Sequence, residues 1–284
     1  MLQPKEGIGA RPCTKCHGSA VLIAPEATFA RAALCDCAGR CEICNDVGFL
    51  FERDDFGRET ARMCACERRR VRLRLYNEAS VPGKFADARL EDRFRDRYNH
   101  EAFSTCKLLV DGYKRGDKGL ILMGPSGGGK TFLVAAFIYE MIFARGVPVV
   151  FRDFFHLLAN LRSGYSSGRP ESELIEPLVS VEVLVVDELG KGRNTPWEQN
   201  ILDVLISQRY NNRKTTIFTT NYTESRATTL AERVRSKDGP LGEGEPEIRD
   251  TLRERVGPRI YSRLREMCHL VNLGGPDRRH REGE

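Results

Sequence analysis

A glycine-rich stretch between two apolar segments constrains the fold of this chain more than any other feature. The stretch runs from Gly124 to Thr131 with the sequence GPSGGGKT, and the apolar residues 119–123 precede it. Residues 131–143 are apolar on almost every side, which predicts a buried helix. Glycines let the backbone curl so that several N–H groups face one anion, and the dipole of a following helix adds to that field. A strand, a glycine loop, Lys-Thr and a helix in this order predict a phosphate-binding loop, the P-loop.

The chemistry of this loop predicts ATP with magnesium as its ligand. The Lys130 ammonium would reach the β- and γ-phosphates, and the Thr131 hydroxyl would bind Mg²⁺. A flexible glycine turn that precedes a lysine by chance is the alternative, and the full motif in its context makes it the weaker one. The residues expected to hold the phosphates are Gly124, Pro125, Ser126, Gly127, Gly128, Gly129, Lys130 and Thr131.

Two further predicted strands end in polar residues that could act on a bound nucleotide. The apolar residues 181–186 lead to Asp187 and Glu188. Ligands bind at the carboxyl edge of the sheet in open α/β folds, so we expect Asp187 to hold Mg²⁺ and Glu188 to activate the attacking water. The β-branched residues 215–220 lead to Asn221, whose amide would contact that water or the γ-phosphate. These three residues and the P-loop lysine form the predicted catalytic centre.

Eight of the ten cysteines fall before residue 67, in two copies of one pattern. The first copy contains Cys13, Cys16, Cys35 and Cys37, and the second contains Cys41, Cys44, Cys64 and Cys66. The two copies are offset by about 28 residues, and each starts with a C-x₂-C turn. Such a turn presents two thiolates, and a second pair across a hairpin completes a closed tetrahedral zinc site. We therefore expect about two Zn²⁺ per chain at these eight cysteines.

Other arrangements of these cysteines remain open from the sequence. A nested pairing would join Cys13/Cys16 with Cys64/Cys66 in one site. The second site would then join Cys35/Cys37 with Cys41/Cys44. The internal duplication favours two self-contained sites. Iron–sulfur ligation is the competing metal chemistry, and a disulfide framework is disfavoured because the cytosol reduces disulfides.

Composition excludes several classes of protein. Charged residues make up 30% of the chain, and no apolar run approaches the roughly 20 residues that cross a bilayer. Residues 1–9 lack the apolar core of an export signal, so we expect a cytoplasmic protein with no membrane partner. A formal charge of +5 permits contact with nucleic acid but does not predict it.

Two segments, one basic and one polar, are candidates for contact with DNA. Residues 67–76 carry five arginines and predict a helix, which is either a solvated surface or a site for nucleic-acid phosphate. Residues 163–170 read as a polar loop in which Tyr165 and Arg169 could stack on and pair with a single strand, an ordinary exposed loop being the alternative. Residues 277–281 read as a basic tail.

The pattern of segments predicts three parts of the chain. Residues 1–76 form a cysteine-rich zinc-binding domain with a basic exit helix, residues 77–96 a linker, and residues 97–284 a P-loop ATPase domain. Residues 236–247 read as a loop rich in glycine, proline and charge. Four apolar residues at helical spacing are predicted to be core, namely Trp197, Ile201, Val204 and Leu205.

This set of motifs resembles the AAA+ ATPases, and more narrowly the DnaC/DnaI-type replicative helicase loaders and the IstB-like transposase helpers. The matching segments in the ATPase part are Gly124–Thr131, Val185–Gly190, Gln208–Tyr210, Thr219–Tyr222 and Arg259–Leu264. The second cysteine copy and the linker also resemble such loaders, through Cys41–Gly48, Arg62–Cys66 and Val81–Leu90.

The resemblance implies a three-layer α/β domain with a five-stranded parallel sheet and no C-terminal lid. It also implies self-association, with ATP bound between neighbouring subunits and Arg263 acting as an arginine finger on the neighbour's γ-phosphate. The N-terminal zinc domain would bind the replicative helicase, and the ATPase ring would contact single-stranded DNA.

Departures from the family pattern sharpen these expectations. The second acid is Glu188, where loaders often have aspartate, which favours ordinary hydrolysis. Without a lid, its nucleotide-sensing arginine would be missing or replaced by Arg278 or Arg279. We expect a slow, assembly-dependent ATPase that loads a helicase. An IstB-like transposition helper, or a zinc adaptor that uses ATP only as a structural ligand, are the alternatives.

Overall fold

The computed structural model describes residues 13–224 and 250–280, which form two compact units. The first unit contains the cysteine segment through Arg89 and also residues 135–149, and the second contains residues 90–134 and the chain from Val150 onwards. The loop predicted at residues 236–247 lies outside the described residues. Among the described residues, no helix has the length and apolar character needed to cross a bilayer.

Two antiparallel hairpins of the same design begin the first unit. Strands β1 (Val21–Glu26) and β2 (Phe29–Leu34) form the first hairpin, and β3 (Phe49–Arg53) and β4 (Glu59–Met63) form the second. The paired ends are equivalent, because Val21 lies opposite Leu34 and Phe49 lies opposite Met63. Before each hairpin the chain turns through positive φ at matching positions, His17 and Asn45 among them. The duplication in the sequence is therefore a duplication of structure.

Helix α1 (Ala65–Ala79) follows the second hairpin directly and buries one face within the first unit. Leu73, Tyr76 and Ala79 are spaced three apart, so they share one face of the helix, and all three are buried. The Tyr76 ring lies 5.5 Å from that of Phe143 and 6.5 Å from that of Tyr139. Residues 135–149 belong to this unit because they carry the aromatic partners of α1.

The end of α1 and the residues that follow it pair with the first hairpin. The Asn77 amide exchanges two hydrogen bonds with the backbone of Ala32 on β2, at 2.7 and 3.0 Å. Farther along, Ala30 N–H donates to the Val81 carbonyl at 2.8 Å, and Gly83 N–H donates to the Thr28 carbonyl at 2.9 Å. Residues up to Arg89 therefore belong to the first compact unit, and the domain bounds 1–76, 77–96 and 97–284 stay a prediction.

The second unit is built around a five-stranded parallel sheet, as predicted. Its strands are β5 (Gly119–Met123), β6 (Val149–Asp153), β7 (Val183–Asp187), β8 (Thr215–Thr220) and β9 (Cys268–Asn272). They lie in the order β6-β7-β8-β5-β9, with parallel registers between β5 and β8, β5 and β9, and β7 and β8. The strands that end in the P-loop, the acidic pair and Asn221 are therefore neighbours.

Helices cover this sheet and provide its core. They are α2 (His100–Gly112), α3 (Lys130–Phe143), α4 (Phe154–Ser166), α5 (Glu171–Ser180), α6 (Pro196–Asn211), α7 (Leu252–Val256) and α8 (Pro258–Met267). The predicted core residues Ile201 and Leu205 are buried, and Trp197 and Val204 pack against the same cluster, which confirms that prediction.

The prediction of a polar loop at residues 163–170 is wrong for the first half of that range. Helix α4 continues through Ser166, and Gly164 is buried so close to Leu174 that a Cβ at position 164 would lie 2.6 Å from it. The ring of Tyr165 packs edge-on against Trp197, with 6.3 Å between centroids. Tyr165 therefore contributes to packing and does not present a free surface for a stacked base, while Arg169 is exposed beside Glu173.

A buried arginine links two of these elements. Arg209 on α6 is 1% exposed, and its guanidinium donates to oxygens at the end of α5 and the start of β8. Its acceptors are the carbonyls of Leu178, Val179, Val181 and Thr215 and the hydroxyl of Thr216, at 2.6–3.2 Å. Burial lowers the pKa of Arg209 to about 10, so the side chain stays charged at neutral pH. The sequence motif Gln208–Tyr210 therefore contains a structural arginine.

Candidate nucleotide site and metal centres

The P-loop connects β5 to α3 with the backbone that phosphate binding requires. Gly127 and Gly129 have φ of 77° and 93°, values that side-chain-bearing residues rarely adopt. The Lys130 ammonium donates to the carbonyls of Gly124 at 2.8 Å and Pro125 at 2.7 Å, so the side chain folds over the loop. Burial lowers the pKa of Lys130 to about 8. A buried ammonium held only by neutral carbonyls is well placed to bind an anion.

The predicted magnesium ligands lie together at the start of α3 and the end of β7. The Thr131 hydroxyl donates to the Asp187 carboxylate, at 3.1 and 3.2 Å from its two oxygens. The Thr219 hydroxyl on β8 donates to the same carboxylate. Burial raises the pKa of Asp187, against the effect of these two hydrogen bonds, so a cation beside it would be stabilising. Hydroxyl and carboxylate oxygens are ligands that Mg²⁺ prefers, and the site fits that ion.

Glu188 follows Asp187 in a strained backbone conformation. Its φ is 57°, and its backbone N–H donates to the Thr219 hydroxyl at 2.9 Å. The carboxylate forms an ion pair with the ammonium of Lys191, three residues along the chain. Asn221 comes directly after β8, whose Phe218 pairs with Val186 of β7, so both residues lie at the same edge of the sheet.

Arg263 is held within its own chain. It lies on α8, and its guanidinium donates to Asp203 at 2.7 Å and to Ser207, both on α6. Its side chain is 23% exposed, whereas that of Arg259, one turn earlier and 3.7 Å from Asp203, is 72% exposed. The structure therefore does not bring Arg263 to the phosphate loop of the same chain, and its role as an arginine finger stays a prediction about a neighbouring protomer.

Sequence reasoning missed the roles of Thr219 and Lys191. Thr219 contacts both acids of the site, one through its carboxylate and the other through its backbone N–H. A threonine at the penultimate position of a strand that ends at the site edge is the signal that could have indicated it. Lys191 gave no such signal, because its contact with Glu188 depends on the turn that follows β7.

The eight cysteines form two separate groups of four, each with all sulfur atoms within 4.8 Å. One group is Cys13, Cys16, Cys35 and Cys37, and the other is Cys41, Cys44, Cys64 and Cys66. The sequential arrangement is therefore confirmed over the nested one. Tetrahedral zinc with Zn–S bonds of about 2.3 Å places sulfur atoms about 3.8 Å apart. The pairs Cys13–Cys35 and Cys41–Cys64 match this spacing at 3.8 Å, whereas Cys16–Cys37 and Cys44–Cys66 lie closer, at 3.3 and 3.4 Å.

The backbone of each C-x₂-C turn favours a thiolate. The N–H groups of Cys44 and Ile43 lower the pKa of Cys41 to about 6. The N–H groups of Cys16 and Lys15 lower the pKa of Cys13 in the same way. Metal ligands must be deprotonated, so these turns are prepared for a cation before it arrives. Four thiolates in each group are a donor set that fits zinc.

Most of the arginines on α1 have partners within the first unit. Arg70 and Arg74 lie 3.6 and 3.3 Å from Glu67, and Arg70 is also 3.4 Å from Asp46. Arg72 is partly buried and donates to the Ala144 carbonyl at 3.5 Å. These contacts favour the structural interpretation of the basic helix over a continuous phosphate-binding surface.

An open parallel sheet with a P-loop after β5 and an acidic pair at the end of β7, two strands away, defines a P-loop domain of the AAA+ type. The chain belongs to the family of IstB-like ATP-binding proteins, whose model matches residues 67–230. The resemblance stated from the motifs is therefore confirmed at the level of family and fold.

The chain is similar in sequence and in structure to helicase loaders. The replicative helicase loader DnaC of Escherichia coli (strain K12) is 27% identical over 135 residues, which are 47% of this chain and 55% of that protein. The chain thus matches about half the length of this curated relative. The crystal structure of the DnaC helicase loader has a TM-score of 0.54 at 26% identity, over 67% of this chain and 98% of that one. The structure of DnaI, at 24% identity and a TM-score of 0.50, shows the same fold.

Proposed function

We propose that this protein is a cytoplasmic, ATP-dependent loader that places a replicative helicase on single-stranded DNA. The observation that carries the proposal is the meeting of Lys130, Thr131 and Asp187 at one sheet edge, in a fold shared with a helicase loader. The two groups of cysteines add a metal-binding module that offers a surface for a partner.

Each residue at the sheet edge has a distinct task in hydrolysis. Lys130 would leave its two carbonyl acceptors and contact the β- and γ-phosphates, and the loop glycines would supply backbone N–H groups. Thr131 and Asp187 would hold Mg²⁺, which neutralises the charge that develops on the phosphates. Glu188 would orient and deprotonate the attacking water, and Asn221 would position it. Because Lys191 engages the Glu188 carboxylate, we expect a slow basal rate.

Self-association completes this site in the proposal. Arg263 would leave Asp203 and stabilise the γ-phosphate charge of an adjacent protomer. Arg259 shares both the helix face and the Asp203 partner, which makes it a matched control for the structural role of the ion pair.

Mixing two inactive variants should restore hydrolysis. Arg263→Ala should lower turnover about 10³-fold, and Glu188→Gln should abolish water activation, while both keep ATP binding. In an equal mixture, about one interface in four joins an intact Glu188 to an intact Arg263, so about a quarter of wild-type turnover should return. Arg259→Ala should keep most of its activity alone. Absence of rescue in a steady-state ATPase assay would contradict the shared site.

The second hairpin offers the apolar surface for the helicase. Ile43, Val47, Phe51 and Phe56 are 69%, 63%, 69% and 83% exposed, and all four lie between Cys41 and Cys64. Single exposed apolar residues are common, but several within one short module indicate a binding surface. The metal would hold this surface in shape, since strand β4 has no buried residue of its own.

Replacing one aromatic residue on this surface should weaken helicase binding. We expect Phe51→Ser to raise the Kd of the full-length protein for its replicative helicase at least about tenfold, as for a central interface aromatic. Phe155→Ser is the matched control, because Phe155 is 54% exposed on α4. Lys130→Ala should bind the helicase normally and fail to bind ATP. Wild-type affinity of Phe51→Ser in a titration of the two purified proteins would overturn the docking surface.

Two other functions are outcomes of the same experiments. An IstB-like helper that recruits a transposase is favoured by the family match, which begins at residue 67, after the cysteines. Binding of a transposase and no helicase would select it. An adaptor that uses ATP only as a structural ligand would bind nucleotide without turnover, even when assembled.

A further inference from the structure

The backbone turn that begins at Glu188 is bound by an arginine that the proposed mechanism does not use. The turn runs from Glu188 to Gly192, and Lys191 N–H donates to the Glu188 carbonyl at 3.0 Å. Arg255 on α7 donates from Nε to the Gly190 carbonyl at 2.7 Å and from Nη2 to the Gly192 carbonyl. One guanidinium thus binds the carbonyls on both sides of Lys191, whose ammonium pairs with the Glu188 carboxylate.

Arg255 packs tightly against this turn and against the chain that follows β8. Gly190 has a φ of 86°, a left-handed value that favours glycine. A Cβ at position 190 would lie 2.9 Å from Arg255 Cγ and 3.0 Å from Tyr222 Cε2. The guanidinium carbon lies 5.5 Å from the centroid of the Tyr222 ring, and Tyr222 directly follows Asn221. Arg255 therefore contacts the chain beside Asn221 as well as the turn that begins at Glu188.

Helix α7 holds Arg255 in place independently of the turn. Thr251 and Glu254 form a capping box, in which the Thr251 hydroxyl accepts from Glu254 N–H at 3.2 Å and the Glu254 carboxylate accepts from Thr251 N–H at 2.8 Å. Leu252 is fully buried, and its N–H donates to the Thr223 carbonyl at 2.8 Å. These contacts fix the backbone from which the Arg255 side chain extends.

The backbone of Glu188 is in a conformation that needs support from its surroundings. Its φ of 57° is unfavourable for a residue with a side chain, and such strain persists only where neighbouring contacts outweigh it. The Thr219 hydroxyl accepts from Glu188 N–H on one side. Arg255 binds the carbonyls of Gly190 and Gly192 on the other side. Loss of Arg255 would remove this donor from both carbonyls and let the backbone of Glu188 relax.

We infer that Arg255 is a positioning residue for ATP hydrolysis, which holds Glu188 and the neighbouring Asn221 in place for the attacking water. The inference rests on the proposed function and extends it by a residue that lies outside every predicted nucleotide motif. Among the described residues, the polar contacts of Arg255 are with the turn and, at 3.9 Å, with Asp250, and none is with the P-loop. Arg255 therefore acts on the hydrolytic step and leaves nucleotide binding unchanged.

The kinetics of Arg255 variants test this inference. Arg255→Met removes every donor, so it should lower kcat for ATP about 10²-fold and leave the Kd for a fluorescent ATP analogue unchanged. Arg255→Lys should give an intermediate kcat, because an ammonium lacks the planar fork that reaches two carbonyls. Arg253→Met is the matched control, because Arg253 is an exposed arginine on the same helix.

Three kinetic results would overturn the inference. One is a kcat for Arg255→Met equal to or above that of wild type, and another is the same loss in Arg253→Met. The third is a rise in the Kd of Arg255→Met as large as its fall in kcat, which would assign Arg255 to nucleotide binding. The urea midpoint from Trp197 fluorescence reports whether each variant is folded. If Arg255→Met does not fold, Arg255→Lys is tested by the same criteria.

Mixing variants separates positioning of Glu188 from a general loss of structure. Arg255→Met still supplies Arg263 to a neighbour, so an equal mixture with Arg263→Ala should recover about a quarter of wild-type turnover. A mixture with Glu188→Gln should recover none. Rescue by Glu188→Gln would mean that Arg255 acts through Arg263, and rescue by neither variant would indicate a merely structural role. Both results would overturn the inference.

Failure of the proposed function would look different. Wild-type protein that binds no ATP, or that hydrolyses none when assembled, would overturn the proposed function itself. Wild-type protein that hydrolyses ATP with the same kcat as Arg255→Met and Arg255→Lys would overturn only the role of Arg255.

Discussion

Replacing Arg209 by methionine should lower the free energy of unfolding of the second unit by about 3–5 kcal/mol. Methionine fills part of the volume but donates no hydrogen bond, so four buried carbonyls and one hydroxyl lose their donor. Each buried acceptor left without a partner costs about 1–3 kcal/mol, and relief from burying a charge offsets part of this total. The effect should reach the site, because β8 also carries Thr219 and leads to Asn221.

Urea unfolding followed by Trp197 fluorescence measures this effect, since Trp197 lies on the same helix as Arg209. Arg115→Met is the control for an exposed arginine, with a side chain that is 87% exposed. Arg209→Lys should be intermediate, because an ammonium has three donors and no planar fork. An unfolding midpoint for Arg209→Met no lower than that of Arg115→Met would contradict the structural role.

Removing the metal should unfold the cysteine hairpins while the ATPase unit stays folded. Structural zinc contributes on the order of 10 kcal/mol to the folding of small modules that lack a core. The second hairpin is such a module, because its buried apolar residues are Cys44 and Cys64, both proposed ligands. Cys44→Ser should release one of the two ions, and Cys106→Ser, a buried cysteine in the second unit, is the matched control.

Metal analysis and hydrogen exchange test this prediction together. Protein purified under reducing conditions should contain about two Zn²⁺ per chain, and chelation should expose the backbone amides of β1–β4 to rapid exchange. Trp197 fluorescence should not change on chelation. Protection of the hairpins without metal would contradict the proposal, and a visible iron–sulfur absorption band would assign the other metal chemistry.

The sequence predicted which residues of the proposed nucleotide site meet at the sheet edge, because the signals are local. The P-loop glycines, Lys130 and Thr131 act through neighbouring backbone, and parallel strands necessarily bring Asp187 to the same edge. The pairing of the cysteines followed from a repeat whose copies fold alike. In each case a few consecutive residues determine the geometry.

Contacts between distant segments were not predictable in this way. An arginine is usually a surface residue, so the sequence does not indicate that Arg209 is buried. Its burial depends on carbonyls about 30 positions earlier in the chain. Polar residues 163–166 continue a helix because packing on Trp197 and Leu174 outweighs their preference for loops. The contact of Arg279 with Ser126 had only one indication, the family resemblance that named Arg278 or Arg279 as a replacement for the lid arginine.

The two hairpins of the first unit differ in how far their edges pair with other residues of the unit. The edge of β2 is occupied by Asn77 and by residues 81–83, whereas the described residues show no such added pairing on β3 or β4. Mutations in the first copy would therefore destabilise the module. Exposed residues of the second copy can change with little effect on its free energy of unfolding. Gene duplication followed by this division of labour would let related chains evolve new partner specificity on one invariant scaffold. Exchanging residues 49–63 between relatives is the corresponding route to retargeting.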